Sequence, residues 1–191
     1  MCALGRRWVG RKTSDDVARL FLALWPDAGA RGALKVWRDA TQWPANVRLT
    51  TTRELHLTLH YIGPVPRASI PELTSAFAVP WQPIDLSLDL MDMWQYGTTV
   101  LMARKTPDAL TALHSSLADV LRRLALPVET RRPYQPHVTL ARGGDGAIFP
   151  TMPAVEWHCT RYALVEAIDD RAGSPYWIRQ FYGVPPDATF D

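Results

Sequence analysis

Two stretches of the chain read almost alike, HLTLHYIG from His56 and HVTLARGG from His137. Each alternates polar and apolar residues with a period of two, the pattern of a strand with one wet face and one buried face. Residues i and i+2 share a side of such a strand, so His56 and Thr58 project together, and so do His137 and Thr139. Leu57, Leu59, Val138 and Leu140 then face a core. The chain has only 5 histidines, so two His-x-Thr-Leu copies about 80 residues apart are not an accident of composition. Whatever the fold, it has to accommodate two like strands, one in each half.

The rest of the chain falls into place around those strands. ARLFLALWP reads as a strand ending at Pro26, and Asp27 can cap a helix to about Thr41 with Ala30, Leu34 and Trp37 at helical spacing. The first motif strand stops at Gly63-Pro64, and a short helix from Ile70 to Phe77 follows. IDLSLDLMDMW alternates as one half-buried antiparallel strand, with TTVLMAR as its hairpin partner across Gln95-Tyr96-Gly97. The most regular helix begins at Pro107, with Thr106 as its cap, and shows Leu110, Leu113, Leu117, Val120, Leu121 and Leu124 on one face. Strands over about 157–168 and 176–182, parted by a turn at Ala172-Gly173-Ser174, close the chain.

A helix precedes each motif strand, and the two halves share a layout. This predicts an α+β fold of two pseudo-symmetric lobes, each an antiparallel sheet with outer helices, around a central cleft. Residues 1–17 lack periodicity and are expected to be a flexible extension, leaving 18–191 as a single bilobal domain. A net charge of +2 is too small for a dedicated duplex-binding surface. No apolar run approaches the roughly 18 residues of a membrane span, and the basic start lacks the apolar core of a signal peptide. Cys2 and Cys159 form no metal or redox spacing, which fits a reducing cytoplasm, with Cys159 a buried small residue.

An imidazole titrates near neutrality, so one histidine can act as base while the other acts as acid. Two threonine hydroxyls can donate to an anion held between them. Acid, base and anion-directed donors are what an in-line displacement at phosphorus requires. Arg131, Arg132 and Arg142 surround the second motif, and Arg142 can fork onto phosphate oxygens. No acidic cluster accompanies the histidines, so the reaction requires no metal or other cofactor. His60 shares the face of His56 on simple alternation, but a pair without a third ligand makes a poor zinc site. His114 and His158 read as structural or solvated. Of the tryptophans at 25, 43, 81, 94, 157 and 177, most belong to packing, with one or two left to stack on a base. On the same alternation Tyr61 points away from the histidine face, which leaves Tyr134 as the better stacking candidate. The Gly143–Gly146 run reads as a flexible loop, without the lysine and helix of a P-loop.

The paired motifs resemble those of the two-histidine phosphoesterase superfamily. Within it ARLFLALWP, ELHLTLHYIG and RRPYQPHVTLAR are similar to the LigT-like RNA 2′,3′-cyclic phosphodiesterases, a likeness running from about Arg19 to Tyr182. The resemblance implies metal-independent opening of a 2′,3′-cyclic phosphate, on RNA 3′ ends or nucleotides, to a 2′-phosphate. By motif position it implies His56 and His137 as catalytic residues, and Thr58, Thr139 and Arg142 as phosphate ligands. By analogy His56 is the acid on the leaving oxygen and His137 the base on water, although the residues themselves permit the reverse. Relatives commonly carry a Glu-Ser pair where this chain has Glu166-Ala167, which bears on substrate detail. The expectation is a cytoplasmic, monomeric hydrolase. The alternatives are a non-catalytic RNA-end binding protein, or a phosphodiesterase acting on 2′,5′-linked oligonucleotides or cyclic ADP-ribose phosphate.

Overall fold

The computed structural model describes residues 16–130, 132–168 and 176–183. Most of the expected extension, together with Cys2, Arg131 and the turn at 172–174, lies outside the described residues. Val17 already opens the first strand, β1 (Val17–Leu24). Helix α1 (Ala28–Ala40) starts where the Asp27 carboxylate accepts the Ala30 N–H at 2.8 Å, and it buries Ala30, Leu34 and Trp37. There follow β2 (Arg48–Leu49), β3 (Leu57–Pro66), α2 (Ile70–Ala76), β4 (Ile84–Leu88), β5 (Leu90–Trp94) and β6 (Thr98–Met102). Helix α3 (Asp108–Arg123) leads to β7 (His137–Arg142), β8 (Val155–Cys159), β9 (Arg161–Ala167) and β10 (Tyr176–Gly183).

Strands β10-β9-β1-β3-β7-β6-β5 form one antiparallel sheet in that order, with β2 also paired to β7. Between β3 and β7 the ladder is a single pair, Leu57 with Val138. The sheet therefore reads as two halves of four strands, β10-β9-β1-β3 and β2-β7-β6-β5, joined at one seam. Strands β4 and β8 pair separately as a ribbon that packs on α1, and α3 packs on β3. The architecture is the expected α+β fold with an antiparallel sheet in each half. Among the described residues no helix is long and apolar enough to cross a membrane.

Five details differ from the sequence pattern. IDLSLDLMDMW is two strands, because at Asp89 the chain leaves the ribbon for the large sheet. The Asp89 N–H donates to the Met102 carbonyl at 3.1 Å, and its carboxylate accepts Arg104 at 2.8 Å. Thr160 divides β8 from β9 in the same way. Alternation records which face is buried, not which neighbour is paired. Strand β3 runs through Gly63-Pro64 to Pro66, since beyond Leu57 its β7-side edge has no ladder for a proline to break. Pro107, not Thr106, precedes α3, and no side chain caps it. The Gly143–Gly146 loop is docked rather than loose: the Gly144 N–H donates to the Gly97 carbonyl at 2.8 Å, and a Cβ on Gly144 would lie 2.5 Å from Thr99 Oγ1.

Candidate functional site

The seam builds the site. Leu57 and Val138 are fully buried and face each other across it. By alternation, the residues on either side of them turn to the opposite face: His56 and Thr58 from β3, His137 and Thr139 from β7. Because the strands are antiparallel, His56 stands across from Thr139 and His137 across from Thr58. The two motifs thus interleave, and all four side chains line one cavity of about 340 Å³.

Past each threonine the alternation breaks in the same way. On β3, Leu22 pairs with His60 while Ala23 pairs with Thr58, so Leu59 is an extra, bulged residue. On β7, Thr99 pairs with Ala141 while Val100 pairs with Thr139, so Leu140 is extra. A bulge shifts the following residues by one and exchanges their faces. His60 therefore turns into the protein, where its ring stacks on His114 at 4.0 Å and its Nε2 approaches the His114 carbonyl at 2.9 Å. It does not share a face with His56. Among the described residues no group of three or more His, Cys, Asp or Glu side chains is arranged to hold a metal ion. Tyr61, expected in the core, returns instead to the cleft and is 64% exposed. Arg142 reaches the same cleft by the equivalent step on β7.

Both imidazoles are held alike. His56 Nδ1 lies 2.6 Å from the Glu54 carbonyl and His137 Nδ1 lies 2.8 Å from the Gln135 carbonyl, each two residues upstream. A carbonyl only accepts, so both Nδ1 atoms carry hydrogen, and both Nε2 atoms are left for chemistry. Rings fix the orientation. Trp25 stacks on His56 at 5.6 Å, while Phe21 and Tyr176 stand 5.0 and 5.2 Å away; Trp94 meets His137 edge-on at 4.4 Å. Burial among these rings pulls the His56 pKa down to about 4; the charges of His137 and Arg31 add to the pull, and the Glu54 carbonyl opposes it. Burial lowers His137 as well, helped by Arg142 and opposed by the Gln135 carbonyl. Both are neutral at pH 7 in the open cleft.

The cation at Arg142 has a companion absent from the sequence reading. Arg48 on β2 pairs directly opposite it and lines the same cavity. Like charges placed opposite each other repel unless an anion lies between them. A two-residue strand carries no periodicity, so nothing in the sequence singled out Arg48. Arg132 lines two cavities of about 760 and 560 Å³ that continue from His137. Tyr134 is committed elsewhere than expected: its ring stacks on His114 at 3.9 Å, and its hydroxyl donates to the Thr58 carbonyl at 3.2 Å. Of the remaining histidines, exposed His158 pairs with Asp85 at 2.6 Å, and Cys159 is buried. Glu166 is 2% exposed and is clamped by Arg67, at 2.7 and 3.2 Å, and by Arg179. Ala167 lines the cavity with a methyl group where a serine would add a donor.

A sequence model of the 2′-5′ RNA ligase superfamily matches residues 26–171. The RNA 2′,3′-cyclic phosphodiesterase of Escherichia coli (strain K12) is 30% identical over 155 residues, covering 80% of this chain and 85% of that protein. A crystal structure of a phosphoesterase superposes with a TM-score of 0.78 at 24% identity, over 87% of this chain and 98% of the other. Escherichia coli LigT complexed with 3′-AMP gives 0.75 at 24% identity, over 88% and 98%. The chain belongs to the 2′-5′ RNA ligase superfamily and is a member of the two-histidine phosphoesterases.

Proposed function

We propose that this chain hydrolyses 2′,3′-cyclic phosphates, on nucleotides or RNA 3′ ends, to 2′-phosphates by acid–base catalysis between His56 and His137. One observation carries the reading: two imidazoles, each with Nδ1 tied to a carbonyl and Nε2 left for chemistry, line one cavity with two threonines and two arginines. The relative whose name states this activity supports the substrate class.

In this mechanism Thr58, Thr139, Arg142 and Arg48 hold the phosphate oxygens and offset the charge that grows on them in the transition state. His137 Nε2 takes a proton from water as the new P–O bond forms. The P–O3′ bond breaks on the opposite side, and His56 Nε2–H gives its proton to O3′. The pair ends with the proton on His137 instead of His56, and exchange with solvent resets it. The anionic substrate favours the imidazolium that the open cleft disfavours, so the acid is charged on binding.

The test is incubation with 2′,3′-cyclic AMP in excess chelator, with the product identified by phosphorus NMR. A 2′-phosphate is expected, and either His56→Ala or His137→Ala should slow turnover by roughly 10²–10⁴. Saturable binding without product would instead support a non-catalytic RNA-end binder. Activity lost to chelator and restored by zinc would contradict the metal-free mechanism. A second substrate, a 2′,5′-linked oligonucleotide, is favoured by the cavities that extend from His137 beyond the motif site. Including it in the assay decides between them.

A further inference from the structure

Each motif imidazole lies against a tryptophan, and a charge stands behind each tryptophan. Trp25 stacks on His56 at 5.6 Å, with the Arg31 guanidinium 5.7 Å from the Trp25 ring. Arg31 is fixed there by donating to the Thr52, Arg53 and Pro26 carbonyls, at 2.9, 3.3 and 3.0 Å. Trp94 meets His137 at 4.4 Å, and its indole N–H donates to the Asp92 carboxylate at 3.0 Å. The two halves thus repeat the pairing of imidazole with indole but reverse the charge behind it, a cation on the His56 side and an anion on the His137 side.

The register shows why Trp94 needs a tether. On β6, Trp94 pairs with Thr98 whereas His137 pairs with Met102, four residues farther along. An indole projecting straight from the sheet would stand over Thr98, clear of His137; to meet it, the ring has to lie back along β5. Asp92 is two residues back on the same face of that strand, where its Oδ2 accepts the indole N–H. Its Oδ1 accepts the Met93 N–H at 2.8 Å, which fixes the carboxylate in turn. Strand β5 is the last of its sheet and Asp92 is exposed, so this geometry comes from the hydrogen bonds rather than from core packing.

The arrangement bears on where a proton goes. An imidazolium against an indole is attracted by the ring's π-electrons, and a carboxylate that accepts the indole N–H adds electron density to that ring. On the other side the Arg31 charge adds to the burial that lowers the His56 pKa. The other charged or titratable side chains lining the cavities about His137 are Arg142, Arg132, Glu129, His56, His60 and His114, with the phenols of Tyr61, Tyr134 and Tyr176 and the carboxylate of Glu54. Resting on the proposed function, we infer that Asp92 is a positioning residue of the reaction: it holds and polarises Trp94 against His137, so that the cation formed when His137 takes the proton of water is stabilised in this half of the cleft and not in the other. Asp92 and Arg31 then set the polarity of the pair, with His137 as base and His56 as acid.

The experiment is nitrogen-15 titration of the histidine rings in the free protein, with initial rates on 2′,3′-cyclic AMP at pH 7. It compares the unaltered chain with Asp92→Ala, Asp92→Asn, Trp94→Phe and the double variant Asp92→Ala/Trp94→Phe. Asp92→Ala should lower the His137 midpoint by roughly 0.5–1 pH unit, move His56 less, and cut kcat by roughly 3–10-fold at unchanged KM, the range of a partly buried cation–π contact. Asp92→Asn keeps an acceptor without the charge and should fall between the parent and the alanine variant. Trp94→Phe has no indole N–H, so removing Asp92 from it should change neither the His137 midpoint nor kcat further. Because Asp92 is exposed, its variants should melt like the parent. A His137 midpoint or kcat indifferent to Asp92→Ala overturns the inference. So does an Asp92→Asn variant that matches either the parent or Asp92→Ala, or an effect of Asp92→Ala that persists undiminished beside Trp94→Phe. If the His137 midpoint moves as expected but the unaltered chain does not open 2′,3′-cyclic AMP, the proposed reaction fails while the linkage of Asp92, Trp94 and His137 stands.

Discussion

His56 shows how a side chain is tuned by what is packed around it. Three aromatic rings and the nearby charges of His137 and Arg31 oppose its cation, and the Glu54 carbonyl opposes them only in part. With its pKa at about 4, and that of His137 also below the ordinary 6.5, a proton shared by the pair is lost early as pH rises. The free enzyme is described by kcat/KM and the bound complex by kcat. The alkaline limb of kcat/KM should therefore fall below pH 6.5, and that of kcat should lie higher because the bound anion favours imidazolium. Coincident limbs in initial-rate measurements would contradict this. The division of roles is testable at the same scale. A p-nitrophenyl phosphodiester releases a phenolate that needs little proton donation, so it should restore turnover to the variant lacking the acid, expected to be His56→Ala, and not to the variant lacking the base. Restoration in His137→Ala would reverse the assignment.

Among the elements, the bulges in β3 and β7 explain which parts of the site were legible. Up to the threonine of each motif, simple alternation places every side chain where it lies. After it, alternation puts His60 in the cleft and Tyr61 in the core, the reverse of what the bulge produces. A bulge at a leucine leaves no local mark, because Leu59 is apolar and buried whether regular or extra. The division of IDLSLDLMDMW at Asp89 was hidden for a related reason, since the alternation runs unbroken across Asp89 to Leu90 and slips by one residue only at Met91. The displaced His60 completes a stack with His114 and Tyr134, through which α3 and the loop before β7 grip the motif strand. Burial lowers the His114 pKa to about 4, with the charges of His60 and Arg122 adding to it. An unfolded chain binds more protons than the folded one between that value and about 6.5. Stability present above pH 6.5 is therefore lost as the pH falls toward 4. Urea midpoints should drop across that window, and His114→Phe, which keeps the stack and removes the titration, should show a shallower drop. An unchanged slope would assign the acid sensitivity to other groups.

Across the whole molecule, two four-stranded halves meet at one residue pair, and both His-x-Thr motifs line the cavity at that seam. The duplicated motif made this arrangement legible, because two strands with the same polar face can only cooperate if the fold brings those faces together. The two-residue β2 was not legible, and with it Arg48, because its position comes from pairing with β7 rather than from any pattern of its own. The central claim is that His56 and His137, from separate halves, face a single anion. It is tested most directly by following the ring nitrogens of nitrogen-15-labelled histidine through a pH titration with and without saturating 2′-AMP. One bound nucleotide should raise the pKa of His56 and His137 together. A shift confined to one of the two, or a shift of neither, would contradict a shared site.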